Sequence, residues 1–220
     1  MKKVCVILAG SGHADGSEIQ ESISTLIALS KYEVTYDCFS IDQDQYDVID
    51  HSNYEPVKEK RNLLHEAARI ARGKIKDIAE LNVDNYGAII FPGGFGIAKN
   101  LCTYAYEGRN GSVDSRIKEL IVSFFKSKKY IGVICISPVM IGMALSGIAE
   151  DLKLTPGYFE KAAEDLKYFG ANPVMLDSTD ICIDDLNKVI SAPAYMNSDA
   201  TLYQVYTGIE KLVKFISEKI

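Results

Sequence analysis

The residues best placed to do chemistry are a cysteine, a glutamate and several glycines, each set where an apolar run breaks into a loop. Cys135 follows Ile131-Gly132-Val133-Ile134 and precedes Ser137 and Pro138, so it stands where a strand turns sharply into a helix. A side chain at such an elbow points into a cleft. The helix N-terminus beside it offers free N–H groups and a positive field, which favour thiolate. The plainer alternative is one more core cysteine at a strand end. Pro92-Gly93-Gly94-Phe95-Gly96 closes another apolar run, and bare backbone N–H groups beside a nucleophile are what an oxyanion hole requires. Glu18 opens a helix, where an acid complements the dipole. If its loop abuts Cys135, an ionised Glu18 carboxylate raises the thiol pKa, whereas a protonated one donates a hydrogen bond and lowers it.

Other chemistries fit less well. Gly10-Ser11-Gly12-His13-Ala14-Asp15-Gly16 lies between a strand and a helix, as a dinucleotide loop would, but Asp15 replaces the third glycine and puts negative charge where pyrophosphate approaches. A glutamine amidotransferase needs a base histidine after its cysteine, and the histidines stand at 13, 51 and 65. The cysteines at 5, 38, 102, 135 and 182 are too far apart for a CxxC metal site or a disulfide framework.

These residues need a scaffold, and the hydrophobic pattern supplies an α/β one. Apolar runs at 3–9, 86–91 and 131–134 predict buried parallel strands, and alternation at Val34, Tyr36 and Cys38 predicts another. Ser17 and Gln20 predict a capping box for a first helix that buries Ile19, Ile23, Leu26 and Ile27. A second helix is expected over 62–81 with Gly73 as an interruption, a third over 114–128, a fourth from Pro138 to Leu145 and a last over 201–216. Residues 42–54 predict a surface insertion, and 181–191 a hairpin. Alternating strands and helices imply a doubly wound, mostly parallel sheet with helices on both faces, and ligands bind beyond the carboxyl ends of its strands. The loops after the first, third and fourth strands all lie there.

At 220 residues and 47% hydrophobic content, one domain spanning 1–220 is expected. Thirty acidic against 24 basic residues, a net charge of −6, give no basic stripe for nucleic acid. No apolar run approaches the roughly 20 residues of a membrane span. Met1-Lys2-Lys3 leads into a strand rather than a signal segment, so a cytoplasmic protein is expected.

Four segments in order, Gly10–Ile19, Glu66–Ile75, Phe91–Leu101 and Gly132–Pro138, resemble the ElbB-type branch of the ThiJ/PfpI (class I glutamine amidotransferase-like) superfamily, as does Pro193-Ala194-Tyr195-Met196. The resemblance implies a flavodoxin-like homodimer with Cys135 as nucleophile, Glu18 as its carboxyl partner, and the N–H groups of Gly94 and Ile136 as oxyanion hole. His13, Gly93 and Asn100 would line the cleft. Ile136 stands where much of the superfamily has a histidine. The implied function is that of a glyoxalase-like enzyme without metal or organic cofactor, converting glyoxal or methylglyoxal to 2-hydroxy acids. The competing function is a redox-sensing or ligand-binding protein linked to isoprenoid biosynthesis.

Overall fold

The computed structural model describes residues 3–220; Met1 and Lys2, which precede the expected leading strand, lie outside the described residues. The strands are β1 (Lys3–Ile7), β2 (Tyr36–Ser40), β3 (Ile49–Asp50), β4 (Glu55–Pro56), β5 (Ile75–Asp77), β6 (Tyr86–Phe91), β7 (Tyr130–Ile134), β8 (Lys153–Leu154), β9 (Asn172–Pro173), β10 (Cys182–Asp184) and β11 (Val189–Ala192). The α-helices are α1 (Ile19–Lys31), α2 (Leu63–Ile70), α3 (Tyr104–Glu107), α4 (Ser115–Lys126), α5 (Ser137–Leu145), α6 (Glu160–Tyr168) and α7 (Leu202–Ser217).

Seven strands form one sheet in the order β10-β11-β7-β6-β1-β2-β5. Every pairing in it is parallel except β10 with β11. This is the doubly wound fold that the hydrophobic pattern predicts, in the flavodoxin-like form that the resemblance implies. Side chains alternate across the pleat of β1 and the residue after it: Val4, Val6 and then Leu8 pack with Leu29, Ile209 and Leu212, while Cys5 and Ile7 join Ile117, Phe124 and Met140 on the other face. Helices α1 and α7 thus cover one face, and α4 and α5 the other.

Three expectations for the elements are corrected. The helix expected over 62–81 stops at Ile70, and the chain turns at Gly73, with φ +78°, into the edge strand β5. Of the residues read as a second helical stretch, Ile75–Asp77 line the sheet edge and Ile78–Glu80 form a single 3-10 turn. The cap of α1 is Glu18, whose carboxylate accepts from the Glu21 N–H at 2.6 Å. Ser17 does not cap because its hydroxyl accepts from the Ala9 N–H at 2.8 Å and closes the preceding loop. The expected buried stripe of α1 faces outward: Ile19, Ile23 and Ile27 are 46%, 37% and 51% exposed, whereas Glu21, Ser22, Ser24, Thr25, Ala28 and Leu29 are buried. Small and hydroxylated side chains let α1 approach closely, and Thr25 and Ser22 satisfy their hydroxyls on the carbonyls of Glu21 and Glu18. Helix α6 was not expected from the sequence at all.

Candidate active site

The site begins with a backbone turn. Cys135 has φ +60°, in the left-handed region that side chains with a Cβ rarely adopt. Its N–H donates to the Ala192 carbonyl of β11 at 3.0 Å, and the next turn is pinned by the Ser137 hydroxyl on the Pro92 carbonyl at 2.8 Å. Together these bonds hold the elbow between β7 and α5.

The loop after β6 approaches from one side. A Cβ on Gly93 would lie 2.4 Å from the Cys135 Cβ and 2.5 Å from a Glu21 carboxylate oxygen, so only glycine fits between them. The N–H groups of Gly94 and Ile136 are both hydrogen-bonded to the Cys135 sulfur and favour its ionised form. The two residues named for the oxyanion hole are therefore brought together at the thiol.

The carboxyl that meets the thiol belongs to Glu21. One of its oxygens accepts from the Gly93 N–H at 2.9 Å, the other from the Tyr195 N–H at 3.3 Å, and the thiol is hydrogen-bonded to it. Glu18, the acid expected in that place, is occupied in capping α1 and lines the cavity beside the thiol instead. One helical turn separates the two acids, and the inner face of α1 carries Glu21.

Burial first and the nearby Glu18 second push Glu21 up to about 8, against the lowering effect of the Tyr195 N–H, Cys135 and the Gly93 N–H. Near neutral pH this carboxyl holds a proton. Burial also raises Glu18 from the usual carboxylate range. The thiol of Cys135 is raised by burial first and by the Glu21 charge second, so the thiolate expected from the helix field alone is opposed by the low-dielectric surroundings. While Glu21 is protonated, its repulsion vanishes and it can donate to the sulfur.

Outside the thiol opens a cavity of about 570 Å³. Its floor is Cys135, Ile136, Gly94 and Glu18, and its walls are largely aromatic. His13 lies in the wall, with its pKa lowered by burial and then by His51. The Phe95 N–H donates to the His13 carbonyl at 2.7 Å, joining the loops after β1 and β6. The hairpin of β3 and β4 packs at the rim: Ala14 N–H donates to His51 Nε2 at 3.2 Å, Ile49 N–H to Asp15 Oδ2 at 2.8 Å, and the Tyr46 ring stacks on Tyr106 at 4.5 Å. Asn100, expected to line the cleft, sits instead beneath this insertion and accepts from the Tyr46 N–H at 2.7 Å. Gly93 lies behind the thiol rather than in the open wall.

The sequence reading missed Glu21 and the far wall. Tyr195 and Met196 reach the cavity from the segment after β11, and Phe159, Lys161 and Asp165 from α6 and its start. Phe159, Ala162, Ala163, Leu166 and Phe169 carried a helical spacing that could have revealed α6. Among the described residues, no group of three or more His, Cys, Asp or Glu side chains is placed to hold a metal ion, and no helix is long and apolar enough to cross a membrane.

No family model matches the chain. It is 38% identical to the rat ES1 protein homolog, mitochondrial, over 98% of this chain and 83% of that protein. It is 36% identical to the human glutamine amidotransferase-like class 1 domain-containing protein 3, mitochondrial, over 98% and 82%. Among solved structures, an isoprenoid biosynthesis protein with amidotransferase-like domain from Ehrlichia chaffeensis is 35% identical, with a TM-score of 0.91 over 99% of this chain and 100% of that one. A ThiJ/PfpI domain protein from Brachyspira murdochii shares the fold at 13% identity and a TM-score of 0.57, covering 99% and 96%.

Proposed function

We propose, on the premise that this chain belongs to the ES1 family of amidotransferase-like proteins within the ThiJ/PfpI superfamily, that it acts on small carbonyl compounds through Cys135. The reaction class is that of a glyoxalase without added cofactor. The Cys135 sulfur attacks the aldehyde carbon of a 2-oxoaldehyde, a carbon–sulfur bond forms, and the thiol proton passes to the aldehyde oxygen, which Gly94 and Ile136 N–H groups hold. Glu18 in the cavity wall then moves the remaining aldehyde hydrogen, as a proton, to the neighbouring carbon, while the proton on the first oxygen crosses to the second. The product is a thioester of a 2-hydroxy acid. Water adds to it, the carbon–sulfur bond breaks, and the sulfur recovers its proton.

The observation that carries this reading is the contact of Cys135 with the Glu21 carboxyl, flanked by two backbone N–H groups at the foot of an open cavity. Glu21 donates to the sulfur while protonated and accepts the thiol proton only when ionised, above about 8. The decisive experiment incubates purified protein with methylglyoxal, without added metal or glutathione, and measures lactate. Lactate that vanishes with Cys135→Ala supports the reading, and absence of lactate with wild type overturns it.

A binding or redox-sensing protein is the second reading, favoured by a cavity much larger than methylglyoxal. The name of the Ehrlichia chaffeensis protein would place such a role near isoprenoid biosynthesis. Placement in the ElbB-type branch is supported by the way its motifs, Glu66–Ile75 excepted, gather around the thiol. A reducing compartment suits this chemistry, whether the expected cytoplasm or the mitochondrial setting in the relatives' names. A homodimer is supported by the apolar stripe that α1 leaves outward beside Leu202, Tyr203 and Tyr206 of α7.

A further inference from the structure

The cavity is far larger than its reacting end needs. Pockets of about 300–1,000 Å³ take drug-sized ligands, and at about 570 Å³ this one would leave most of its space to water around glyoxal or methylglyoxal. The lobe beyond the thiol is framed by Phe95, Tyr106 and Phe159, which are 52%, 45% and 45% exposed. Aromatic rings left this open at the wall of a concave site gain most from covering by another apolar or aromatic surface.

Charge in the lobe is already matched. Lys161 is the lysine of the cavity wall, and its Nζ lies 2.8 Å from Asp165 Oδ1. The other oxygen of Asp165 accepts from the Tyr104 hydroxyl at 2.7 Å, and the Asp165 side chain is only 1% exposed. A ligand anion that drew Lys161 away would leave this carboxylate buried without its counter-ion, a costly exchange. Lys99, behind the Phe95 ring, is paired with Asp47 at 2.6 Å and donates to the Ala14 carbonyl. The lobe therefore offers shape and apolar surface, with Lys161 and Lys99 already committed to carboxylates.

We infer that the substrate is an aldehyde bearing an uncharged, bulky apolar group, such as an aryl 2-oxoaldehyde, and not a phosphorylated, carboxylated or three-carbon one. This rests on the proposed reaction at Cys135 for its chemistry, while the lobe's preference for an uncharged apolar group stands on the cavity alone. Tyr104, Phe159, Lys161 and Asp165 thereby become residues that set specificity without touching the reacting atoms.

The test separates binding from turnover. Acetophenone, acetone and 4-carboxyacetophenone, ketones without the adjacent aldehyde, are titrated into wild-type protein by ligand-observed NMR at neutral pH. Acetophenone should bind at least about tenfold more tightly than either of the others. Equal or tighter binding of acetone or of the carboxylated ketone overturns the inference. Phe159→Ser should weaken acetophenone about tenfold or more; unchanged affinity overturns the lobe assignment. Should that variant fail to fold, Ala105→Trp fills the same lobe from α3 and must weaken acetophenone likewise. In turnover, phenylglyoxal should exceed methylglyoxal in kcat/KM by roughly tenfold, and the reverse order overturns the inference. Selective acetophenone binding with no turnover of either aldehyde supports the lobe's ligand class and overturns only the reaction proposed at Cys135.

Discussion

The Glu21 carboxyl reaches the Cys135 thiol from the first turn of α1 and is itself held by the N–H groups of Gly93 and Tyr195. Three chain segments therefore converge on one carboxyl, and its proton is placed where the thiol can use it. Because Glu21 ionises at about 8, raising the pH through that value adds a negative charge beside the sulfur and resists thiolate formation. In Glu21→Gln the charge is gone and a donor remains. Alkylation of Cys135 should then reach its midpoint at a lower pH than in wild type, while lactate formation falls by roughly 10²–10⁴-fold. Undiminished turnover in this variant would remove Glu21 from the reaction.

The same proton should show in stability. Glu21 titrates near its ordinary carboxylate value in the unfolded chain and at about 8 in the folded one. Between these values the folded state binds the extra proton, so its contribution to stability is full below the unfolded pKa, declines as pH rises, and levels off above about 8. The loss is on the order of a few kcal/mol. Melting temperature should fall more steeply from pH 5 to pH 8 in wild type than in Glu21→Gln. Parallel curves for the two proteins would contradict this.

Cysteine labelling reads accessibility as well as ionisation. Cys38 and Cys102 are pushed up to about 12 and Cys182 to about 11, in each case by burial, and all three are buried along with Cys5. The Cys135 thiol is also raised, by burial and then by Glu21, but it alone among the five is partly exposed, and two N–H groups favour its ionised form. Sub-stoichiometric iodoacetamide followed by peptide mass spectrometry should label Cys135 first. Labelling led by Cys38 or Cys102 would disprove the assignment of the reactive thiol.

Gly93→Ala should damage the site with little else changed around it. The added methyl meets the Cys135 Cβ at 2.4 Å and a Glu21 oxygen at 2.5 Å, so one of them must move. We expect a stability loss of about 1–3 kcal/mol and slower alkylation of Cys135, read by denaturant titration and labelling rate. A variant indistinguishable from wild type in both would show that the three groups are not in contact.

The outward stripe of Ile19, Ile23 and Ile27 predicts an interface between copies of the chain. Ile23→Glu, on an exposed face, should leave the fold intact and shift sedimentation from dimer to monomer. A wild-type monomer at micromolar concentration would dismiss the interface.

The parallel sheet was readable from the sequence because its central strands are nearly continuous apolar runs, and β6 coincides with Tyr86–Phe91 as expected. The elbow was readable because Cys135 and Pro138 mark a strand end and a helix start. The face that α1 buries was not. Apolar periodicity pointed to Ile19, Ile23 and Ile27, but close packing favoured Ser22, Thr25 and Ala28, and that rotation carries Glu21 inward behind the thiol and leaves Glu18 lining the cavity. The choice between the two acids thus hung on helix rotation, which spacing alone could not fix. Edge strand β5 was hidden for a related reason: the spacing of Ile75 and Ile78 suits a helix, but the left-handed turn at Gly73 sends Ile75–Asp77 into the sheet and leaves Ile78 to open a 3-10 turn.

The left-handed turn at Cys135 separates address from chemistry. Its location is chosen by φ +60° and by the main-chain bond to Ala192, neither of which involves the sulfur. Any side chain at position 135 would be delivered to the same point, facing Gly94, Ile136 and Glu21. The scaffold is therefore a fixed socket, and the identity of one atom beyond the Cβ determines what reaction is plugged into it.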